Sequence, residues 1–193
     1  SSLSLPMLST SLIVAPADHL IMQTDKFAST IFSAIESAKV GRIATIGILP
    51  TRPDTGYGYI EFEASNELNP NDCVEVQQFR EKPDLETAKQ FVAAGNFYWN
   101  SGIFIWKSST ILNALNEFQP KLFNLFAGEL TAYNTPQEQN FVNHAFATCE
   151  DISVDFAIME HAKNIDVVLA SFDWSDLGTW GSLDTHLSKD DKN

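Results

Sequence analysis

Between Leu12 and Leu49 an apolar run, a helix-patterned segment and a second apolar run follow one another, and this order restricts the fold more than any other feature of the chain. Leu12 to Ala15 stops at Pro16, whose ring removes a backbone donor, and Asp18-His19 follow. That is how a buried strand delivering polar groups to a sheet edge reads. Phe27, Ile31, Ile35 and Ala38 recur at helical spacing, with Asp25 expected as N-cap and Gly41 placed to end the helix. Arg42 to Leu49 is the next expected strand. Strand, helix, strand calls for a right-handed crossover, so the order predicts an α/β fold with a mixed, mostly parallel sheet and flanking helices.

The pattern continues without a linker, repeat or low-complexity tract. Two prolines and two glycines make Pro50 to Gly58 a loop before a strand at Tyr59 to Glu63, and Asn66 to Asp72 is a second turn-rich stretch. Val74 to Phe79 reads as a strand that Pro83 stops, and Asp84 as the cap of a helix carrying Leu85, Ala88, Phe91 and Val92 and closing at Gly95. A strand at Ile103 to Trp106 follows. Ser108 is expected to cap a helix with Ile111, Leu112, Leu115 and Phe118, and Thr135-Pro136-Gln137-Glu138 reads as a capping box. Ser153 to Met159 is expected to be helical, Asp166 to Ala170 a strand and Asp173 to Trp180 a polar loop. A short helix is expected to end near Leu187, and Ser188 to Asn193 to fray. Residues 1–193 read as one catalytic-type domain.

Composition removes several function classes. With 193 residues and 44% hydrophobic content the chain can bury a core. A net charge of −13 speaks against a nucleic-acid partner or an anionic membrane, both of which need clustered Lys and Arg. A phosphate ligand remains compatible with that charge, because one or two basic groups and a divalent cation held by carboxylates suffice. Cys73 and Cys149 form no C-x-x-C pattern, and no apolar run approaches a membrane span. Ser1 to Ser11 lacks the basic start of a signal peptide, so a reducing, cytoplasmic setting is expected.

The chemistry concentrates in a few places. Glu81 and Lys82, in Phe79-Arg80-Glu81-Lys82-Pro83-Asp84, present an acid and a base at a strand end, and Asn100 and Ser101, in Trp99-Asn100-Ser101-Gly102, offer amide and hydroxyl groups. The pair suits a sugar phosphate, although each segment also reads as an exposed ion pair or as a β-bulge with a core tryptophan. Asp18 and Asp176 stand at predicted strand ends, and two carboxylates suit Mg²⁺ with waters and substrate phosphates. Taken singly each reads better as a turn residue. Tyr57 lies between Gly56 and Gly58 before a strand, where glycine allows a close ligand. The histidines His19, His144, His161 and His186 show no ligand spacing, and no nucleophile elbow is present.

Six segments occur in order: Val14 to His19, Thr55 to Glu61, Phe79 to Asp84, Trp99 to Phe104, Ser153 to Glu160 (S-V-D-F-A-I-M-E) and Trp174 to Trp180 (W-S-D-L-G-T-W). With them the chain resembles the mannose-1-phosphate guanylyltransferases over about Leu12 to Leu183. The resemblance implies a Rossmann-like nucleotide-diphospho-sugar transferase fold and the joining of GTP and mannose 1-phosphate into GDP-mannose and pyrophosphate. It implies Asp18 and Asp176 as Mg²⁺ ligands, Glu81 and Asn100 as partners of sugar hydroxyls, Lys82 beside the sugar phosphate, and Tyr57-Gly58 lining the sugar pocket. A homo-oligomer is compatible with it.

No segment matches the glycine-rich G-G-x-G-x-R-L signature with which such enzymes cradle the triphosphate. The chain is therefore expected to be a fragment that lacks the N-terminal nucleotide-loop unit and keeps the acceptor pocket. Two alternatives stay open: another hexose-1-phosphate nucleotidyltransferase, and a non-catalytic domain that binds a sugar phosphate or a partner.

Overall fold

The computed structural model describes residues 10–64 and 67–177, and a six-stranded sheet forms its centre. Strands β1 (Ser11–Val14), β3 (Ile43–Ile48), β4 (Tyr59–Phe62), β5 (Cys73–Arg80), β6 (Phe97–Lys107) and β7 (Ile165–Leu169) lie in the order β1-β6-β3-β7-β5-β4. The N-terminal end of β6 also pairs with β4, at Tyr59↔Trp99 and Glu61↔Phe97. Two short strands, β2 (His19–Ile21) and β8 (Trp174–Asp176), form a separate antiparallel pair.

Among the hydrogen-bonded strand neighbours of the described residues, only β3 and β7 are parallel. Strand β6 is antiparallel to β1, β3 and β4, and β5 is antiparallel to β4 and β7. Following those senses around the sheet, β1, β3, β4 and β7 point one way and β5 and β6 the other, four strands against two. The mostly parallel sheet expected from the sequence is thus present as a majority direction and not as neighbour pairing. The reason is β6, which runs between β1 and β3 and separates the two strands that α1 (Thr24–Lys39) connects.

The central strands are buried on both faces, which is why they read as nearly unbroken apolar runs. Ala44, Ile46, Ile48, Trp99, Ile103, Ile105 and Val168 pack under α1 and α2 (Leu85–Ala94), with Ala34, Ala38 and Ala88 letting the helices approach closely. Ile43, Phe104, Trp106, Ile165, Val167 and Leu169 face the other way, under α3 (Ser108–Phe118) and the π-helical turn Asp155–Met159. Helices α4 (Pro120–Ala127) and α5 (Glu138–Thr148) extend this second layer. No described helix is long and apolar enough to cross a membrane.

Several local expectations change for identifiable reasons. Asp25 stands inside the first turn of α1, and the N-cap position belongs to Gln23, whose amide is committed elsewhere. It donates to Asp173 Oδ2 at 2.5 Å and accepts from the Asp173 N–H at 2.6 Å, tying α1 to the β2–β8 pair. Lys107 holds the N-cap position of α3, and the Ser108 hydroxyl donates to the Thr10 carbonyl instead. The box expected at Thr135 does not form, because α5 starts at Glu138 with Gln137 at its N-cap; Glu138 accepts from the Asn134 N–H at 2.6 Å and Thr135 Oγ1 from the Gln137 N–H at 3.2 Å. The loop expected from Asp173 contains β8, and Trp99 to Gly102 lies within β6 rather than ahead of it. By contrast α2 is as expected, with Asp84 Oδ1 accepting from the Thr87 N–H at 2.8 Å and Gly95 closing the helix at φ 78°. The helix near Leu187, the end Ser188 to Asn193 and most of Ser1 to Ser11 lie outside the described residues.

Candidate functional site

At one end of the site the β2–β8 ladder solves a problem of distance along the chain. It places His19 opposite Asp176, and the Leu177 N–H donates to the Asp18 carbonyl at 3.0 Å, so two aspartates remote in sequence become neighbours. Asp18, His19 and Asp176 bring one possible ligand atom each to within 4.8 Å of one another. The sequence reading missed His19. Its ring is occupied on one side, because the Trp174 Nε1–H donates to His19 Nδ1 at 3.1 Å and leaves the proton of the neutral ring on Nε2. Burial lowers the His19 pKa against the pull of Asp176 and Asp18, so the ring is held neutral. The oxygen donors available to a cation here are therefore the two carboxylates, a set that suits a hard ion retaining waters.

At the other end, β5 finishes at Arg80 and delivers Glu81 beside Gly58, with Lys82 next along the chain. Lys82 adopts φ 43° although Pro83 follows it, a left-handed conformation at a position where one is costly. The Glu81 side chain is 10% exposed, and its Oε2 is buried without a hydrogen-bond partner among the described residues. Lys82 Nζ approaches Glu81 Oε1 at 3.6 Å from a largely exposed position. A Cβ added to Gly58 would stand 2.4 Å from Glu81 Oε2, so glycine leaves the room that this oxygen takes up. Burial, and after it the charge of Asp155, raises the Glu81 pKa; burial likewise raises that of Asp155.

Asn100 is set by a bulge. Between the pairs Thr45↔Phe104 and Gly47↔Asn100, β6 holds more residues than β3, and Gly102 at φ 72° takes up the excess. The Asn100 carbonyl oxygen accepts from Thr45 Oγ1 at 3.0 Å and from the Gly102 N–H at 3.2 Å, and Nδ2 donates to Asp155 Oδ1 at 3.0 Å. Ser101 does not join this group. It is 2% exposed, and its hydroxyl oxygen accepts from the Ile103 N–H at 3.2 Å, so it closes the bulge from inside the core instead of meeting a ligand.

Aromatic rings connect the two ends. Tyr57 packs edge-on against Trp99 at 5.1 Å and against Trp174 at 5.3 Å, and Trp174 meets His19 at 5.1 Å. Burial, then Asp176 and Asp54, push the Tyr57 phenol up, which places Tyr57 within the electrostatic reach of the carboxylate pair. The Arg52 guanidinium lies 5.1 Å over the Trp99 ring and is paired with Asp54 at 2.7 Å. Arg52, Thr45 and Asp155 were not singled out from the sequence. Only Asp155 left a trace there, as the acid of S-V-D-F-A-I-M-E. The arrangement can hold a polyol at Glu81 and Asn100, an anion beside Lys82, and a hard cation at Asp18 and Asp176.

Residues 5–193 match the family described as Nucleotidyl transferase. A putative mannose-1-phosphate guanylyltransferase from Vibrio cholerae is 38% identical over 175 residues, covering 89% of this chain and 37% of that protein. A mannose-1-phosphate guanylyltransferase from Escherichia coli is 38% identical over 176 residues, covering 89% and 36%. The chain thus spans little more than a third of the length of these relatives. Among solved structures it is similar to a mannose-1-phosphate geranyltransferase from Thermus thermophilus, with TM-score 0.78, 29% identity and coverage of 93% of this chain and 50% of that one. It is also similar to a mannose-6-phosphate isomerase from Helicobacter pylori, with TM-score 0.71, 29% identity and coverage of 88% and 65%.

Proposed function

The chain belongs to the nucleotidyl transferase family, and from that premise we propose that it carries the sugar-phosphate and metal side of a mannose-1-phosphate guanylyltransferase site. The observation that carries the reading is the Glu81 oxygen, buried, unpartnered and packed against Gly58. A buried carboxylate oxygen without a donor is costly, and a sugar hydroxyl is the donor that fits. The names of the guanylyltransferase relatives supply the sugar and the base.

In this reading mannose 1-phosphate lies with its hydroxyls on Glu81 and the free N–H of Asn100, its ring over Tyr57 and Gly58, and its phosphate towards Lys82. A phosphate oxygen attacks the α-phosphorus of GTP in line, pyrophosphate leaves, and GDP-mannose forms without a protein nucleophile. Positioning and charge neutralisation account for the rate. Asp18 and Asp176 would hold Mg²⁺, which supplies neutralisation of the phosphate charge when bound. His19 keeps its neutral ring beside them through Trp174. Two free thiols fit a cytoplasmic setting.

The test is pyrophosphate release from GTP and mannose 1-phosphate with Mg²⁺, compared with glucose 1-phosphate. Any release should require all three components, and Asp176→Asn should lower it by roughly 100-fold. Unchanged turnover in Asp176→Asn would remove the metal assignment, and a preference for glucose 1-phosphate would remove mannose. Calorimetry with mannose 1-phosphate alone reads the acceptor pocket directly.

A further inference from the structure

We infer that Trp174 determines metal selectivity: by committing the His19 ring to one tautomer it keeps the imidazole out of the coordination sphere, so that the Asp18–Asp176 site favours Mg²⁺ or Mn²⁺ and its affinity for zinc-like ions is limited. The inference deepens the proposed function and rests on its reading of Asp18 and Asp176 as metal ligands.

By residue type alone the cluster is a mixed one. Asp18, His19 and Asp176 bring one possible ligand atom each to within 4.8 Å of one another. An imidazole nitrogen beside two carboxylates draws a site towards zinc, nickel or copper, whereas carboxylates with water suit magnesium and manganese. The outcome turns on the ring proton, because a metal takes only a nitrogen that carries none. The Trp174 Nε1–H donates to His19 Nδ1 at 3.1 Å. A cation on Nδ1 would have to displace that N–H. A cation on Nε2 would require the ring proton on Nδ1, where it would meet the indole N–H, donor against donor. One hydrogen bond therefore bars both nitrogens. Histidines that ligate metals give their other ring N–H to an acceptor, which fixes the ligating tautomer. His19 has the opposite partner, an indole that only donates.

The two-stranded ladder builds this arrangement in. His19 pairs with Asp176 and Ile21 with Trp174, and alternation along both strands puts their side chains on one face, with Trp174 diagonal to His19. The spacing of Trp174-Ser175-Asp176 thus delivers a metal ligand together with the group that restricts the site. The indole is held in place. Tyr57 packs edge-on against it at 5.3 Å, it meets His19 edge-on at 5.1 Å, and Gln23 accepts from the N–H of the preceding Asp173 at 2.6 Å. Selectivity of this kind comes from shutting out a competitor and not from a better contact with the right ion.

The wild type and one variant test it. In the metal-free wild type, nitrogen NMR of the imidazoles should place the His19 proton on Nε2, the His19 signal being the one that His19→Gln removes; a proton on Nδ1 overturns the inference. With Mn²⁺ bound, pulsed electron paramagnetic resonance should show no directly ligated imidazole nitrogen, and finding one overturns it as well. Trp174→Phe keeps an aromatic ring and removes the N–H. It should gain Zn²⁺ affinity by roughly 10- to 100-fold in calorimetry, the range over which the partner of a ligating histidine acts, with a much smaller change for Mn²⁺. Adding His19→Ala to that variant should return Zn²⁺ binding to the wild-type level. An unchanged Zn²⁺ affinity in Trp174→Phe, or a gain that survives the loss of His19, overturns the inference. If Trp174→Phe gives no cooperative melt, the two wild-type measurements decide. A wild type that binds neither Mg²⁺ nor Mn²⁺, or binds them equally well after Asp176→Asn, would instead overturn the metal reading, and the inference with it.

Discussion

Glu81 shows how the site spends stability, and two substitutions separate its functions. Its raised pKa means that the folded state holds the proton more tightly than the unfolded chain. The contribution is complete below the ordinary value of 4.5 and is lost as pH rises through the raised folded value, so ionised Glu81 destabilises the fold at neutral pH. Glu81→Gln should therefore stabilise the chain at pH 7 by about 1 kcal/mol, the low end for an unsatisfied buried group, with the gain vanishing below pH 4.5. Thermal melts across pH measure it; a destabilised Glu81→Gln at pH 7 would contradict the account. The same variant should lose mannose 1-phosphate binding. Gly58→Ala acts on the opposite wall. Its Cβ would stand 2.4 Å from Glu81 Oε2 and 3.3 Å from Phe79 Cζ, while the backbone needs no positive φ. The carboxylate tip can swing aside, so the expected stability loss is about 1 kcal/mol, while sugar-phosphate affinity should fall by roughly tenfold or more. Intact binding in Gly58→Ala would show that the ligand does not depend on where the Glu81 carboxylate sits.

At the scale of single elements, the β6 bulge decides where Asn100 points. Gly102 is at φ 72°, and a Cβ there would also meet Pro16 Cγ at 3.4 Å. Gly102→Ala is expected to cost about 1–2 kcal/mol from the left-handed backbone alone, measured by denaturant unfolding, and to weaken sugar-phosphate binding by turning Asn100. A variant with wild-type affinity would mean that the bulge does not set the amide. The bulge also marks what the sequence could and could not disclose. Asp84 and Gly95 were legible because a cap and a left-handed glycine act within one turn of chain. Asp25 and Ser108 misled, because Gln23 is drawn to Asp173 and Ser108 to Thr10, partners whose proximity only the tertiary fold creates. Trp99 to Gly102 was legible as polar chemistry beside a strand, yet its place within β6 depends on pairing with β3 and β4. His19 and Asp155 were overlooked for the same reason: each gains its meaning from a neighbour remote in sequence, Asp176 or Asn100.

Across the whole molecule, one buried acid holds the layers in register. Asp166 on β7 is 8% exposed and accepts from Ser37 of α1 at 2.6 Å, from Arg42 Nε at the entry to β3 at 2.6 Å, and more weakly from Cys73 Sγ on β5 at 3.6 Å. Arg42 extends the set to Glu75 at 3.0 Å. Burial, and then Asp166, push the Cys73 thiol up to about 11, so this cysteine serves as a donor to the network and not as a nucleophile at neutral pH. Removing the acid leaves the Ser37 hydroxyl and Arg42 Nε without their acceptor while the helix and three strands remain packed around the gap. Asp166→Ala should therefore cost about 3 kcal/mol, at the low end for a broken buried pair because Arg42 is 28% exposed, and lower Tm by roughly 6–12 °C. Asp166→Asn keeps an acceptor for Ser37 and should cost visibly less. The network stands apart from Glu81, Asn100 and the Asp18–Asp176 pair, so below its melting temperature Asp166→Asn should bind mannose 1-phosphate as the wild type does. A large affinity loss in a folded Asp166→Asn would mean that the sheet register set at β7 reaches the pocket, and that scaffold and site are coupled.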